Sequence, residues 1–382
     1  MNFSVATLGE LSLGDGKYGI AASAVDYDAE LPAYLRITDI NDDGTLNWND
    51  RKSVDDPAAY KYMLRDGDIV FARTGNSTGR NYYYDSRDGE FAFAGFLIRF
   101  SLDDKKVNPR YVKYYAQSKA YWDWVASFNT GSTRGNINAK TYAQMPIPLP
   151  DRPTQDSIVT LCDSISNKIR LNTTLNGYLL ELATARFESA LKTKSKTVRF
   201  GDIVALEDSK RIPLNSRDRE ARKGPYPYYG ATSIMDYVDD FLFDEIRVLL
   251  GEDGTVVNSE GKPILQYVWG KYWVNNHAHI LASSGEYSLE AIYVALKRTA
   301  INQIVTGAVQ MKISQRNLKS LELEMPSSEE LGYLQDLFAA YRSNQDENTK
   351  LAALRDALLP RLMSGEIDVS KVDLTQLNSH LA

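Results

Sequence analysis

The chain has 382 residues, 43% of them hydrophobic and 11% aromatic, with a formal net charge of −6 and a pI near 5.3. That length suits two or three domains, and the composition excludes a disordered or collagen-like chain. No apolar run reaches the ~18 residues of a membrane span, and the single cysteine, Cys162, excludes an internal disulfide or a cysteine-cluster zinc site.

The opening "MNFSVATLGELSLG" has neither the basic start nor the apolar core of a signal peptide, so a cytosolic location is expected. Strand candidates follow: "YLRITDI" (34–40), "DIVFAR" (68–73) and "AFAGFLIRF" (92–100). They are β-branched and aromatic at strand length, and Gly, Asn and Asp turns separate them. "NPRYVKYYAQSKAYWDWVAS" (108–127) reads as one helix with Asn108 as N-cap and Pro109 in its first turn. A longer helix is predicted from about residue 153 to 192, with Ile158, Leu161, Ile165, Leu175, Leu179 and Leu182 at heptad-like spacing. Cys162, in the apolar setting "IVTLCDSI", reads as a core thiol of this helix.

The same plan then repeats. "LGELSLGDGKYGI" (8–20) parallels "FGDIVALEDSKRI" (200–212), and "RDGDIVFARTGN" (65–76) parallels "FDEIRVLLGEDG" (243–254). "TGSTRGNINAKTYAQMPIPLP" (130–150) matches "TGAVQMKISQRNLKSLELEMP" (306–326) without a gap, 176 residues apart. Strand candidates "IRVLLG" (246–251) and "HAHILAS" (277–283) belong to the second copy. A second long helix is predicted from about residue 328 to 363, with Leu334, Leu337, Tyr341, Leu351 and Leu358 on its seam. Asn172 and Asn348 hold the same seam position near each helix's midpoint. In an antiparallel pair their polar layers would face each other and set the register, since a slipped pairing would strand the amides. Helices of ~40 residues would be ~60 Å long and act as a ruler. The fold expected is a duplicated mixed α/β (α+β) arrangement, pseudo-twofold, with two globular domains separated by a pair of long antiparallel coiled-coil helices.

Catalytic signatures are sparse. "NPRY" (108–111) is a near miss of the Asn-Pro-Pro-Tyr box that holds a flipped adenine in methyltransferases, but Arg110 replaces the second proline and no Gly-rich cofactor loop precedes it. "GNSTGR" (75–80) lacks the spacing and lysine of a phosphate-cradling loop. His277 and His279 lie on one face of a strand with no third ligand at evident spacing, so they read as a base-contacting or core pair, and no metal and no cofactor is expected. What recurs is loop chemistry suited to nucleic acid. "FARTGNSTGRNYYYD" (71–85), "NTGSTRGNIN" (129–138), "SKRIPLNSRDREARKGPYPYYGAT" (209–232) and "AVQMKISQRNLK" (308–319) are dense in Arg, Asn, Gly and Tyr. Arg and Asn can make bidentate contacts to guanine and adenine edges, while Lys, Ser and Thr hold phosphates. Basic residues gather despite the acidic sum: seven between 105 and 140 against Asp123 alone, and five between 297 and 319 against none.

With these paired stretches, with "YGIAASAVDYDAELPAYLRITDIN" (18–41) and "PYYGATSIMDYVDDFLFDEIRVLLGEDG" (227–254), and with the closing "LLPRLMSGEIDV" (358–369), the whole chain resembles the specificity subunits of type I restriction-modification systems. The resemblance implies a target recognition domain at 1–150, a first spacer helix at 151–195, a second recognition domain at 196–326, and a second spacer helix with a tail at 327–382. Each domain would read one half of a bipartite, asymmetric site in double-stranded DNA. The helices would set the spacer and dock two methyltransferase subunits, which supply adenine-N6 chemistry. Two ATP-driven restriction-translocase subunits would complete the complex, and this subunit would have no active site of its own. Candidate DNA contacts in the first domain are Arg73, Asn76, Thr78, Arg80, Tyr82, Arg134, Asn136, Asn138 and Lys140. In the second they are Arg211, Arg217, Arg219, Arg222, Lys223, Tyr228, Gln310, Lys312, Gln315 and Arg316. The competing readings are a duplicated adaptor that binds protein or glycan rather than DNA, and a self-contained methyltransferase.

Overall fold

In the computed structural model, which describes residues 3–47, 50–128, 135–307 and 310–369, the same clasp is built twice. Strand Ser4–Thr7 pairs antiparallel with Pro146–Leu149, and Ser195–Arg199 pairs antiparallel with Glu322–Pro326. Each clasp joins the start of one repeat to its end, so the chain leaves each domain close to where it entered. Two compact units result: Met1–Leu171 together with Glu347–Ala382, and Asn172–Asp346. The division falls inside the two long helices, not at the ends of the globular stretches. The reason is packing: each half-helix is part of its own unit's core.

Within each unit the central four-stranded sheet has one order. In the first it is Lys17–Tyr18, Leu97–Ser101, Asp68–Ala72, Asn81–Tyr83. In the second it is Val204–Leu206, Ala278–Ser283, Arg247–Gly251, Leu265–Val268. All these neighbours are antiparallel. Asp68–Ala72 is buried along its whole length. Ile69 and Phe71 feed one core and Val70 and Ala72 another, as alternation across a pleat requires. A second sheet in each unit contains one parallel pair, Ala33–Leu35 with Phe91–Phe93 and Lys223–Tyr229 with Lys271–Val274. The flanking strands of this second sheet differ between the units, and here the two copies diverge.

The expected helix over residues 108–127 is two helices, Pro109–Tyr115 and Lys119–Ala126. Asn108 caps the first, accepting from the Arg110 N–H at 3.0 Å. The break has two causes. Asn81 donates its amide to the Ala116 carbonyl at 2.7 Å, and the Ser118 hydroxyl caps a fresh N-terminus by accepting from the Tyr121 N–H. Likewise "AFAGFLIRF" is two strands, Phe91–Phe93 and Leu97–Ser101, turned at Ala94 to Phe96.

The long helices are Arg152–Thr193 and Tyr333–Met363, the latter after a short 3-10 turn at Ser328–Leu331. They run antiparallel in each unit. In the first, Lys168 pairs with Glu347 at 4.0 Å, and Ile158 and Leu161 share a core with Leu359 and Leu362. In the second, Asn344 meets Asn176 and the Arg186 guanidinium lies 3.8 Å over the Tyr333 ring. The seam departs from the expected one. Ile158, Leu161, Ile165 and Asn172 are buried as expected, but Leu175 and Leu182 face water, and Asn176, Ala183 and Phe187 take the inside. A straight helix drifts ~20° per heptad against a 3.5-residue repeat, so a seam projected from its start slides off the buried face.

Candidate nucleic-acid interface

At the end of strand Asp68–Ala72 the chain reaches Arg73, whose N–H donates to the Phe96 carbonyl at 3.1 Å and whose carbonyl accepts from Ile137 at 2.9 Å. Three segments meet there: the loop after the strand, the turn at Phe96 that enters strand Leu97–Ser101, and the run 135–138. Thr74 bridges Asn136. The Thr78 hydroxyl lies 2.8 and 2.9 Å from the Gly75 and Gly135 carbonyls and ties loop to run. Gly79 is required here. Its φ is +93°, and a Cβ would come within 2.7 Å of Val125.

Several predicted contacts converge on this corner. Asn76, Asn136, Asn138 and Lys140 are exposed. Asn138 also caps the short helix Ala139–Ala143, accepting from the Thr141 N–H at 2.9 Å. The Arg73 guanidinium lies 5.1 Å over the Tyr18 ring, with its Nε buried and without a hydrogen-bond partner. Arg80 is turned toward Asp42 at 2.7 Å. Tyr82 is not brought to the surface: it is 3% exposed, packs edge-on against Phe91 and donates to Asp88 at 3.0 Å. Arg134 lies outside the described residues.

The second unit has the same corner with other side chains. Glu252 N–H donates to the His277 carbonyl at 2.8 Å, and Ile313 N–H donates to the Glu252 carbonyl at 2.9 Å. Arg211 reaches Glu252 at 2.7 Å and the Ala278 carbonyl at 2.8 Å, and Lys312 lies 3.4 Å from the other Glu252 oxygen. Behind them His279 is fully buried, with Nδ1 2.6 Å from Asp208 and Nε2 2.8 Å from the Ile313 carbonyl. Gln315 donates to the same Asp208 carboxylate at 2.6 Å. Burial pushes the Asp208 carboxyl up, but hydrogen bonds from His279 and the Ile280 N–H, with the His279 and Arg211 charges, hold it below the usual range. Asp208, Glu252 and His279 place ligand atoms within 4.8 Å of one another, the spacing of a metal site. The Arg211 cation and the Ile313 carbonyl already occupy these groups, so a metal would have to break the network that fixes the corner.

A separate surface of this unit gathers the remaining candidates. Arg217 is exposed on the short helix Ser216–Ala221. Arg219 and Lys223 both reach Asp236, at 3.2 and 2.7 Å, and Arg222 reaches Asp239 at 2.9 Å. The hydrogen bond to Asp236 raises the Lys223 ammonium above its ordinary value. Tyr228 is 1% exposed and accepts from the Leu214 N–H, so it supports the surface from beneath. Gln310 and Arg316 are exposed.

The candidate cations thus divide. Arg80, Arg211, Arg219, Arg222, Lys223 and Lys312 are already neutralised by carboxylates. Arg73, Lys140, Arg217 and Arg316 pair with no carboxylate among the described residues. Only the second group can offer a full charge to a phosphate without first breaking an ion pair. Phe96, 56% exposed at its turn, was not among the expected contacts. The one signal was Gly95 inside an apolar run, which marks a turn. The "NPRY" box is spent on packing: Arg110 reaches Asp163 of the first long helix at 2.6 Å and Asn108 donates to Asp156 at 2.8 Å.

The family described as type I restriction modification DNA specificity domain matches this chain twice, at residues 33–180 and 192–354. The specificity subunit of the HindI type I restriction enzyme of Haemophilus influenzae is 19% identical over 94% of this chain and 99% of its own length. That of the MjaIX enzyme of Methanocaldococcus jannaschii is 22% identical over 70% and 71%. A Haemophilus influenzae protein that also carries the name of a type I specificity subunit is 27% identical over 125 residues, 33% of this chain and 31% of its own length. Among solved structures, the S subunit of a type I restriction-modification system from M. genitalium superposes with a TM-score of 0.53 at 17% identity, covering 95% of this chain and 96% of that one. A corner built twice on one backbone frame, and a family match that covers both copies, place this chain among the type I restriction-modification DNA specificity subunits.

Proposed function

We propose that this chain is the non-catalytic reader of a type I restriction-modification complex, with domains 1–150 and 196–326 each reading one half of a bipartite, asymmetric DNA site. The observation that carries the reading is the matched corner: the backbone contacts of Arg73 with Phe96 and Ile137 recur as those of Glu252 with His277 and Ile313, under different exposed side chains. A kept frame with changed tips suits two half-sites of different sequence. The long helices within 151–195 and 327–363 would set the unread spacer, with Asn172 and Asn348 in their polar layers. Leu175, Tyr178 and Leu182 face water on the first helix at 3- and 4-residue spacing, a stripe suited to a partner helix. We assign it to two methyltransferase subunits, which would bring the adenine-N6 chemistry; two ATP-dependent restriction-translocase subunits would complete the assembly in the cytoplasm. No cofactor is assigned to this chain.

Co-expression with the methyltransferase subunit, followed by mapping of modified adenines, tests the reading. One bipartite motif that disappears when this chain is left out is the expected result. Modification without this chain, or no defined motif with it, rejects the reading. A protein- or glycan-binding adaptor would leave DNA binding absent at every salt concentration.

A further inference from the structure

Phe96 and His277 occupy one position in two frames. Leu97 pairs with Ala72 and Ala278 with Gly251 in the central sheets, so Phe96 and His277 are each the last residue of the turn that enters a central strand, and each carbonyl accepts from the next residue of the neighbouring strand's loop, Arg73 or Glu252. Both side chains face solvent: Phe96 is 56% exposed and the His277 side chain 45%. Their neighbours Leu97 and Ala278 are buried, so the backbone at each turn is anchored while the side chain projects.

The surroundings of the two side chains differ in kind. Phe96 borders a recess of about 600 Å³ whose walls include the small apolar Ala22, Ala24, Ala94 and Gly95 on one part and Tyr34, Arg36 and Thr38 on another. A large exposed phenyl ring beside the alanine wall offers dispersion contact, which matches a thymine C5-methyl group. His277 is oriented by its neighbour. Its Nδ1 lies 2.6 Å from Asp253 and its backbone N–H donates to Asn275 at 2.8 Å. With Nδ1 held by the carboxylate, Nε2 is the ring nitrogen left for a ligand, and in the Nδ1–H tautomer it accepts. That matches the exocyclic amine of adenine or cytosine, which the major groove displays.

Resting on the DNA-reading function proposed above, we infer that Phe96 and His277 are matched base-reading side chains, Phe96 contacting a thymine methyl in one half-site and His277 accepting from an adenine or cytosine amine in the other. Asp253 is then a positioning residue that holds the imidazole.

The test uses the full chain in complex with its methyltransferase subunit and proceeds in two steps. Modified adenines are first mapped for the wild type; failure to find a bipartite motif sinks the DNA-reading function itself. With the motif known, Phe96→Ala should relax one position in one half-site and His277→Ala one position in the other, each by roughly ten- to a hundredfold in discrimination. Uracil in place of thymine at the Phe96 position should weaken wild-type binding and leave Phe96→Ala indifferent. Phe96→Leu should keep part of the discrimination. Melting curves of Phe96→Ala should be unchanged, because that ring is 56% exposed; His277→Ala also gives up the Asp253 contact, so it is judged on discrimination between sequences and not on stability. An unaltered motif in both variants overturns the inference while the function stands. So does an equal loss on all DNA sequences, the mark of a phosphate contact or of lost structure, and so does a uracil effect that persists in Phe96→Ala.

Discussion

Cys162 shows how much one burial decides. The thiol is 2% exposed in the first long helix, and burial, helped by the Asp163 charge, pushes it up to about 12. Thiolate is the reactive form, so the folded chain should resist a disulfide-exchange reagent at pH 8 and react once unfolded in guanidinium. Fast stoichiometric labelling of native protein would contradict this placement. Asp85 goes the other way. Hydrogen bonds from Arg87 and the Arg87 and Arg170 charges outweigh burial and bring it down to about 2 from an ordinary 3.8. A depressed carboxyl stabilises the fold fully above its unfolded value, and the contribution fades as pH falls toward 2. Asp85→Asn should therefore cost on the order of 1 kcal/mol at pH 7, after allowance for solvent screening, and almost nothing near pH 2. Urea midpoints of both proteins at several pH values check it. A gap that widens in acid would reverse the assigned sign.

At the scale of elements, the helix pair of the second unit holds a buried amide contact. Asn176 is 5% exposed, donates to the Tyr341 carbonyl at 3.2 Å and accepts from Asn344 at 2.8 Å. Removing one partner strands a buried amide, so Asn344→Ala should lower stability by about 1–3 kcal/mol. Replacing both by leucine should recover most of that in chemical denaturation while loosening the helix register. If the double variant is no more stable than the single one, the amide pair is not what that loss measures. The broken helix at 108–127 teaches a related point. Propensity and capping signals named its start correctly, but the break depends on Asn81, 35 residues upstream, taking the Ala116 carbonyl.

For the whole molecule, affinity for DNA should fall with salt as counterions are released, and the free cations should set the slope. Lys140→Ala and Arg316→Ala should each reduce the log–log slope by about 1. Arg80→Ala should change it less, because Asp42 already neutralises that guanidinium. Equal effects from all three would mean that the ion pairs open on binding.

The duplication, the family, both long helices and several strands were legible in the sequence, because periodicity, capping and turn residues are local signals that survive without coordinates; the strand expected over 34–40 instead stops at Leu35 and passes into a 3-10 turn at Ile37–Asp39. The candidate site was legible only in part. Asn76, Asn136, Lys140 and Arg316 are exposed on the structure. Tyr82 and Tyr228 look alike in sequence but lie in the core, since a tyrosine in a Gly-rich loop carries no mark of which way it faces. The same holds for the cations. Arg211 and Arg217 stand six residues apart in one basic stretch, yet only Arg211 is held between Glu252 and Asp208, 41 residues downstream and 3 upstream. Local chemistry fixes which elements form. Which charges remain free, which rings are exposed and which turn sits at the same place in both copies depend on contacts between residues far apart along the chain, and these exist only once the chain has folded.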